Sequence, residues 1–257
     1  MNYLDAIILG LLQGLTEFLP VSSSGHLVLT QHILGVKLSG VVFELLVHFG
    51  TLMAVLIYFR MRIIALVRAV FDRSMKSERR MVFFIILSTI PAVVVALLFD
   101  DVIEEAFSSP ILTSLMLVVT GLILLLTGLI KKRKKAISGG NAFLIGCGQA
   151  LAILPGISRS GTTIATGMFT GVEPLVAAEF SFLLSIPAIA GAIVFKVRDI
   201  VNLDTALIGQ YAVGTVISFL SGLFAVYLLL SIIKKGKFQY FGIYCLIIGI
   251  LGILYFI

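Results

Sequence analysis

Two polar segments interrupt long apolar runs in this sequence, and both carry residues that could do chemistry. In the first segment, Gln13 and Glu17 are four residues apart, which places them on one face of a helix. The polar residues that follow are Ser22, Ser23, Ser24 and His26. The polar residues of the second segment are Ser158, Arg159, Ser160, Thr162 and Thr163. A carboxylate and a guanidinium in apolar surroundings are costly unless paired or hydrated, so both segments are functional candidates.

Together the two segments contain the parts of a phosphate site. Arg159 offers a planar set of donors for phosphate oxygens, and hydroxyls and free N–H groups at a break before a helix bind anions. Either Ser23 or His26 could be the nucleophile, with the other group or Glu17 handling the proton, and spacing leaves that choice open. The competing interpretation is a structural Glu17–Arg159 ion pair, which gives the hydroxyls and His26 no role.

A divalent cation is a further expectation at the first segment. Gln13 and Glu17 offer oxygen ligands, which hard cations prefer. Because Glu17 is the only carboxylate there, a Mg²⁺ shared with substrate phosphates is favoured over a site made by protein alone.

Four other polar residues lie in or near apolar runs. His32 and His48 have no partner visible in the sequence and are expected to be structural. Glu44 and Glu179 are expected to be buried, hydrogen-bonded carboxylates that brace the two polar segments, in preference to a direct catalytic role.

The elements that position these residues are membrane helices. Of the 257 residues, 60% are hydrophobic and 12% are charged, about half the charged fraction of a soluble globule. Unbroken apolar runs of about 20 residues predict helical spans and exclude a barrel, a disordered chain and a soluble fold. The predicted spans are residues 41–59, 81–99, 111–130, 175–195, 206–233 and 238–257.

The basic residues behind the net charge of +6 lie between the predicted spans, so the charge indicates membrane topology and not nucleic-acid binding. Basic residues cluster in the connections 60–80, 131–135 and 234–237, which are therefore expected on the cytoplasmic side. The connection 100–105 is acidic, which is typical of an outside loop.

The chain also contains an internal duplication. A shift of 136 residues pairs Gln13 with Gln149 and Ser22 with Ser158 without a gap. Each copy is interrupted near a proline, Pro20 or Pro155, and continues for only about ten apolar residues, too few to span. Each copy is therefore predicted to be a re-entrant hairpin with its polar tip inside the bilayer.

Three spans separate the hairpins, and an odd number of crossings inverts the second copy. The predicted fold is an all-α polytopic membrane protein made of two inverted-topology repeats, each a re-entrant helical hairpin plus three transmembrane helices. The first repeat covers residues 1–130 with its hairpin at 3–36, and the second covers 137–257 with its hairpin at 142–171. This arrangement places the two polar tips face to face.

Three segments resemble the signature motifs of the undecaprenyl-diphosphatase, or bacitracin-resistance, family. They are QGLTEFLPVSSSGH at 13–26, PGISRSGTT at 155–163 and EFSFLL at 179–184, and the resemblance covers essentially the whole chain. The resemblance implies hydrolysis of undecaprenyl diphosphate to the monophosphate and inorganic phosphate, which recycles the carrier lipid for cell-wall glycan synthesis and confers bacitracin resistance.

The resemblance also assigns roles to residues. The family's proposed nucleophilic serine falls on Ser23, with the histidine at His26 as the competing proposal, and its phosphate-binding arginine falls on Arg159. Ser158 and Thr163 match further site positions. The family's acidic motif is Glu or Gln, three residues, then Glu; this chain has the Gln form at Gln13, which weakens a two-carboxylate metal site.

These arguments lead to one set of expectations. The catalytic residues are Glu17, Ser23, His26 and Arg159. The substrate-binding residues are Gln13, Ser22, Ser24, Ser158, Ser160 and Thr163. A Mg²⁺ or Ca²⁺ ion is held at Glu17 and Gln13, the substrate is a polyprenyl diphosphate, and the site faces the outer side of the cytoplasmic membrane. A lipid-phosphate or anion transporter is the alternative, and glycine-rich faces leave both a monomer and a homodimer open.

Overall fold

The computed structural model describes residues 1–35, 42–130, 135–196 and 205–257, and within these ranges the chain is almost wholly α-helical. The helices are α1 Tyr3–Phe18, α2 Ser23–Leu34, α3 Val42–Tyr58, α4 Arg60–Phe71, α5 Lys76–Leu98, α6 Asp100–Phe107, α7 Pro110–Leu126, α8 Gly139–Leu151, α9 Arg159–Phe169, α10 Pro174–Phe195, α11 Ile208–Lys234 and α12 Tyr240–Phe256. Residue 36 of the first predicted hairpin, residue 41 of the first predicted span and the basic residues 131–134 lie outside the described ranges.

The all-α class is confirmed, and four or five of the six predicted spans are long and apolar enough, within the described residues, to cross a bilayer. Among the described residues, four helices are long and apolar enough to cross a bilayer: α5, α7 with its 3₁₀ extension, α10, and α11 with the turn before it. The pair α3 and α4, bent by 80°, makes a fifth if counted as one span. The last predicted span corresponds to α12, an apolar helix of 17 residues.

Both polar segments are helical hairpins with short second arms. In the first, α1 ends at Phe18 and α2 begins at Ser23; in the second, α8 ends at Leu151 and α9 begins at Arg159. The arms α2 and α9 hold 12 and 11 residues, about 18 and 17 Å of helix, too short to cross a bilayer.

The breaks are narrower than the sequence predicted. Ser23, Ser24 and His26 were expected in the first break but lie in the first two turns of α2, because the hydroxyl of Ser22 caps that helix. Likewise, Arg159, Ser160, Thr162 and Thr163 lie in α9, which Ser158 caps. The second hairpin starts at residue 139 and not at 142, because Ser138 and Asn141 form a capping box there.

Two predicted connections are partly helical. The basic connection 60–80 begins with α4, which turns away from α3 and buries Leu66 and Ala69. In the following turn, the side chain and backbone N–H of Ser74 donate to Asp72 and lower the pKa of that carboxyl. The acidic connection is the short helix α6, whose apolar face meets α7.

Glycines let the hairpins approach the spans closely. A Cβ on Gly14 of α1 would lie 1.9 Å from Ser221 Oγ of α11, and a Cβ on Gly146 of α8 would lie 2.4 Å from Ser88 O of α5. The first hairpin thus packs on a helix of the second half, and the second hairpin packs on a helix of the first half. Gly121 faces Gly242 of α12, so this glycine serves a contact within one chain.

Candidate active site

The N-termini of α2 and α9 are capped by the same pattern of side-chain hydrogen bonds. In α2, Ser22 Oγ accepts the N–H of Gly25 at 3.2 Å and lies 3.3 Å from Ser24 Oγ. In α9, Ser158 Oγ accepts the N–H of Gly161 at 3.1 Å and lies 3.3 Å from Ser160 Oγ. The free N–H groups of each first turn and the helix dipole favour an anion at these ends.

The carboxylate of Glu17 joins the two hairpins. Its Oε2 accepts the hydroxyl of Ser23 at 2.5 Å, and its Oε1 accepts Nη2 of Arg159 from the second hairpin. The Glu17 side chain is 5% exposed and that of Arg159 is 16% exposed, so the ion pair is largely removed from water. A buried carboxylate beside a hydroxyl can take its proton, and a guanidinium beside it can bind phosphate oxygens.

Gln13 completes this cluster one helical turn before Glu17. Its Nε2 donates to Glu17 Oε2 at 2.9 Å, as the four-residue spacing predicts. Its Oε1 is buried and has no hydrogen-bond partner among the described residues. An orphaned buried acceptor is costly, so this oxygen is available to a cation or a donor supplied by a ligand.

A cation shared with substrate fits these residues better than one held by the protein alone. Among the described residues no group of three or more His, Cys, Asp or Glu side chains is placed to hold a metal ion. Gln13 Oε1 is an open oxygen ligand, and Glu17 is the adjacent carboxylate. The remaining ligands would have to come from phosphate and water, as is common for Mg²⁺.

Ser22 holds a strained backbone immediately before Ser23. Its φ of 67° makes it the only described residue other than glycine with positive φ, a conformation that costs about 1–3 kcal/mol and is concentrated at functional sites. Its repeat counterpart Ser158 has an ordinary φ of −75°. The strained residue thus occurs only in the hairpin that carries Ser23.

His26 has both ring nitrogens engaged. Its Nδ1 lies 2.8 Å from the carbonyl oxygen of Ser22, and its Nε2 lies 2.8 Å from the hydroxyl of Tyr244 in α12. The two rings are parallel, with centroids 5.6 Å apart. Tyr244 was missed from the sequence, because it is 218 residues away in an apolar run with no polar neighbours.

His48 also reaches the cluster, although the sequence showed no partner for it. Its Nε2 lies 3.7 Å from Glu17 Oε2, and its Nδ1 lies 2.7 Å from the carbonyl of Glu44. No local signal indicates this approach, since it depends on how α3 packs against α1. His32 bonds the Val28 carbonyl and packs edge-on against Phe256, both structural contacts.

The other predicted residues of the second hairpin mainly anchor α9. Ser160 Oγ donates to the carbonyl of Leu19 at 3.1 Å, which ties α9 to the first break. Thr163 Oγ1 bonds the carbonyl of Arg159 and the hydroxyl of Ser181 in α10, at 2.7 and 2.6 Å. These contacts hold Arg159 in place and do not direct the Thr163 hydroxyl toward Glu17.

The two carboxylates expected to brace the hairpins behave differently. Glu44 accepts Gln31 Nε2 at 3.0 Å and so connects α3 to the first hairpin. Glu179 accepts Arg62 of α4 at 2.9 Å, and its side chain is 39% exposed. The predicted hydrogen bonds are thus present for both carboxylates, but both residues are only half-buried. The partner of Glu179 is Arg62, which the bend after α3 carries to α10.

Comparisons with known proteins show the family of this chain. Residues 6–251 match the family model described as bacitracin resistance protein BacA. The undecaprenyl-diphosphatase of Salinibacter ruber is 41% identical, covering 98% of this chain and 99% of the relative. Those of Syntrophotalea carbinolica and Carboxydothermus hydrogenoformans are both 43% identical, covering 97% of this chain and 97% and 96% of the relatives. The chain therefore belongs to the bacitracin resistance protein BacA family.

Proposed function

We propose that this protein is an integral membrane undecaprenyl-diphosphate phosphatase, which releases inorganic phosphate and leaves the monophosphate carrier lipid. The observation that carries the proposal is the contact of Glu17 with both Ser23 and Arg159. A hydroxyl, a proton acceptor and a phosphate-binding guanidinium are the groups that phosphoryl transfer requires at one point. The names of the relatives agree with it.

The geometry favours Ser23 over His26 as the nucleophile. Ser23 Oγ already donates to a carboxylate that can take its proton, whereas both ring nitrogens of His26 are occupied. His26 lies three residues after Ser23, on the same side of α2, and is the second proton-handling group of this proposal.

The reaction then proceeds in two displacements. Ser23 Oγ bonds to the terminal phosphorus, its proton passes to Glu17, and the bond to the bridging oxygen breaks to release the polyprenyl monophosphate. Water next attacks the phosphoserine and one of its protons passes to His26, while the bond from phosphorus to Oγ breaks. Glu17 returns its proton to Oγ, and the proton on His26 leaves with the inorganic phosphate. Arg159 and the first-turn N–H groups of α2 and α9 stabilise the charge on the transferred group.

In this proposal the substrate phosphates bind at the capped ends of α2 and α9, where Ser22, Ser24, Ser158 and Ser160 lie. Thr163 contributes indirectly, because its hydroxyl bonds the carbonyl of Arg159. Gln13 and Glu17 would hold the Mg²⁺ or Ca²⁺ ion, which when bound neutralises phosphate charge. The lipid tail stays in the bilayer, and the site is proposed to open to the outer side of the cytoplasmic membrane.

The proposed scaffold is a pair of inverted repeats, residues 1–130 and 137–257. The matching caps at Ser22 and Ser158, 136 residues apart, support it. So does the packing of α7 on α12, where Gly121 meets the carbonyl of Gly242 and Gly249 meets the carbonyl of Ser114. A shift of 128 residues takes Gly121 to Gly249 and Ser114 to Gly242, so a two-fold axis would exchange these contacts.

The test is phosphate release from undecaprenyl diphosphate by the purified protein in detergent. We expect release by the wild type and by Ser74→Ala, a control outside the site, and none above background by Ser23→Ala.

With the terminal phosphate labelled, rapid quenching should trap an acid-stable phosphoserine. An acid-labile phosphoenzyme would move the nucleophile to His26. No release by a well-folded wild type would instead favour a lipid-phosphate transporter, which needs Arg159 but not the Ser23–Glu17 hydrogen bond.

A further inference from the structure

We propose that Tyr244, in the last helix, is a positioning residue for the phosphatase reaction, and that it acts by fixing the ring orientation and tautomer of His26. The expected effect of Tyr244 on kcat rests on the proposed function. The orientation and tautomer of His26 rest on the hydrogen-bond geometry alone.

The tautomer follows from the two hydrogen bonds of the ring. A carbonyl oxygen can only accept, so His26 Nδ1, 2.8 Å from Ser22 O, carries the hydrogen. In the neutral ring, Nε2 is then the acceptor, and the Tyr244 hydroxyl at 2.8 Å donates to it. Tyr244 thereby fixes the tautomer in which Nε2 is the unprotonated nitrogen, and it prevents the ring from rotating about χ2.

The surroundings show why a second anchor is needed. The Ser22 carbonyl that holds Nδ1 belongs to the residue with positive φ, so this anchor sits on strained backbone. Tyr244 approaches from another helix, stacks parallel to the ring and is 43% exposed at the outer surface of the bundle. The neighbouring Cys245 packs its Sγ 3.6 Å from the carbonyl of Pro20, so α12 is fixed against the first break.

The matched variants are Tyr244→Phe, which removes the hydroxyl and keeps the ring, and Tyr255→Phe at the exposed C-terminal end of the same helix. We expect Tyr244→Phe to lower kcat by about three- to tenfold, the range for one hydrogen bond, with little change in KM. Tyr255→Phe should retain the wild-type rate. In a His26→Gln background, Tyr244→Phe should cause no additional loss, because a residue that acts through His26 has nothing left to position.

A second measurement does not depend on activity. With ¹⁵N-labelled histidine, and with the His26 signals identified by their loss in His26→Gln, the wild type should show a protonated Nδ1 and an acceptor Nε2. Tyr244→Phe should shift the Nε2 signal of His26 and leave those of His32 and His48 in place. Unchanged His26 signals, or additive losses in the double variant, would overturn the role of Tyr244. An inactive wild type with the expected signals would overturn only the proposed phosphatase activity.

Discussion

At the scale of single residues, Glu17 connects the proposed nucleophile with the proposed phosphate-binding arginine. Its two carboxylate oxygens accept hydrogen bonds from Gln13 and Ser23 of the first hairpin and from Arg159 of the second. The Nε2 atom of His48 lies 3.7 Å from one of these oxygens. Removing one partner of a buried pair leaves the other charge unpaired, so changes on either side of the Glu17–Arg159 contact are expected to be severe. The structural ion pair and the catalytic interpretation are thus compatible, because one contact can serve both.

Replacing Arg159 should damage turnover more than removing any hydroxyl except that of Ser23. Arg159→Ala removes the donors for the transferred phosphate, and we expect kcat to fall about 10²–10³-fold. Arg159→Lys keeps the charge without the planar fork and should recover only part of the rate. Steady-state phosphate release in detergent measures both, and near-normal hydrolysis by Arg159→Ala would remove this residue from the site.

Chelation should reveal the cation. Because Gln13 Oε1 is an unpartnered buried acceptor beside Glu17, we expect EDTA to abolish phosphate release and Mg²⁺ or Ca²⁺ to restore it. Gln13→Leu should raise the metal concentration needed for half-maximal rate, with Gln31→Leu, in the second arm of the hairpin, as the comparison. Full activity in EDTA would show that Arg159 and the helix ends neutralise the phosphates alone.

At the scale of helices, the position of Glu17 depends on how closely α1 lies on α11. Gly14, one turn before Glu17, has no room for a side chain, since its Cβ would meet Ser221 Oγ at 1.9 Å and Ser218 O at 2.4 Å. A close helix crossing of this kind relies on small residues, as is common in membrane proteins.

Gly14→Ala should therefore destabilise the fold and displace the site together. Overpacking costs about 1–3 kcal/mol, so we expect a lower midpoint of thermal unfolding in detergent and a reduced kcat. Gly191→Ala in α10 is the control, because its Cβ would have no heavy atom within 4 Å and alanine favours helix over glycine. Equal midpoints for the two variants would contradict the packing argument.

At the scale of the whole molecule, charge should determine which side of the membrane each connection occupies. The turn between α4 and α5 carries Arg73, and the first turns of α5 carry Lys76, Arg79 and Arg80, whereas α6 begins with Asp100 and Asp101. The positive-inside rule therefore predicts that the basic residues lie on the cytoplasmic side and that α6 lies outside.

Two exposed serines test this topology. In a Cys147→Ala, Cys245→Ala background, Ser108→Cys should react with a membrane-impermeant thiol reagent in intact cells, and Ser74→Cys should react only after the cells are opened. Both positions are exposed, so access to the reagent depends on the side of the membrane. The reverse pattern would place the α6 side in the cytoplasm and invert the proposed orientation of the site.

The sequence by itself determined the helical membrane class, the presence of a break near Pro20 and another near Pro155, and the pairing of Gln13 with Glu17. These features depend on run length, caps and four-residue spacing, all of which act within one segment. Only the tertiary structure decided that Arg159 reaches Glu17 across 142 residues and that Tyr244 holds His26 across 218. It also brings His48 close to Glu17 and pairs Glu179 with Arg62. Such contacts depend on where helices cross. Close backbone approaches, such as that of Gly10 to Gly214, determine these crossings, and no periodic pattern in the sequence of either helix indicates them.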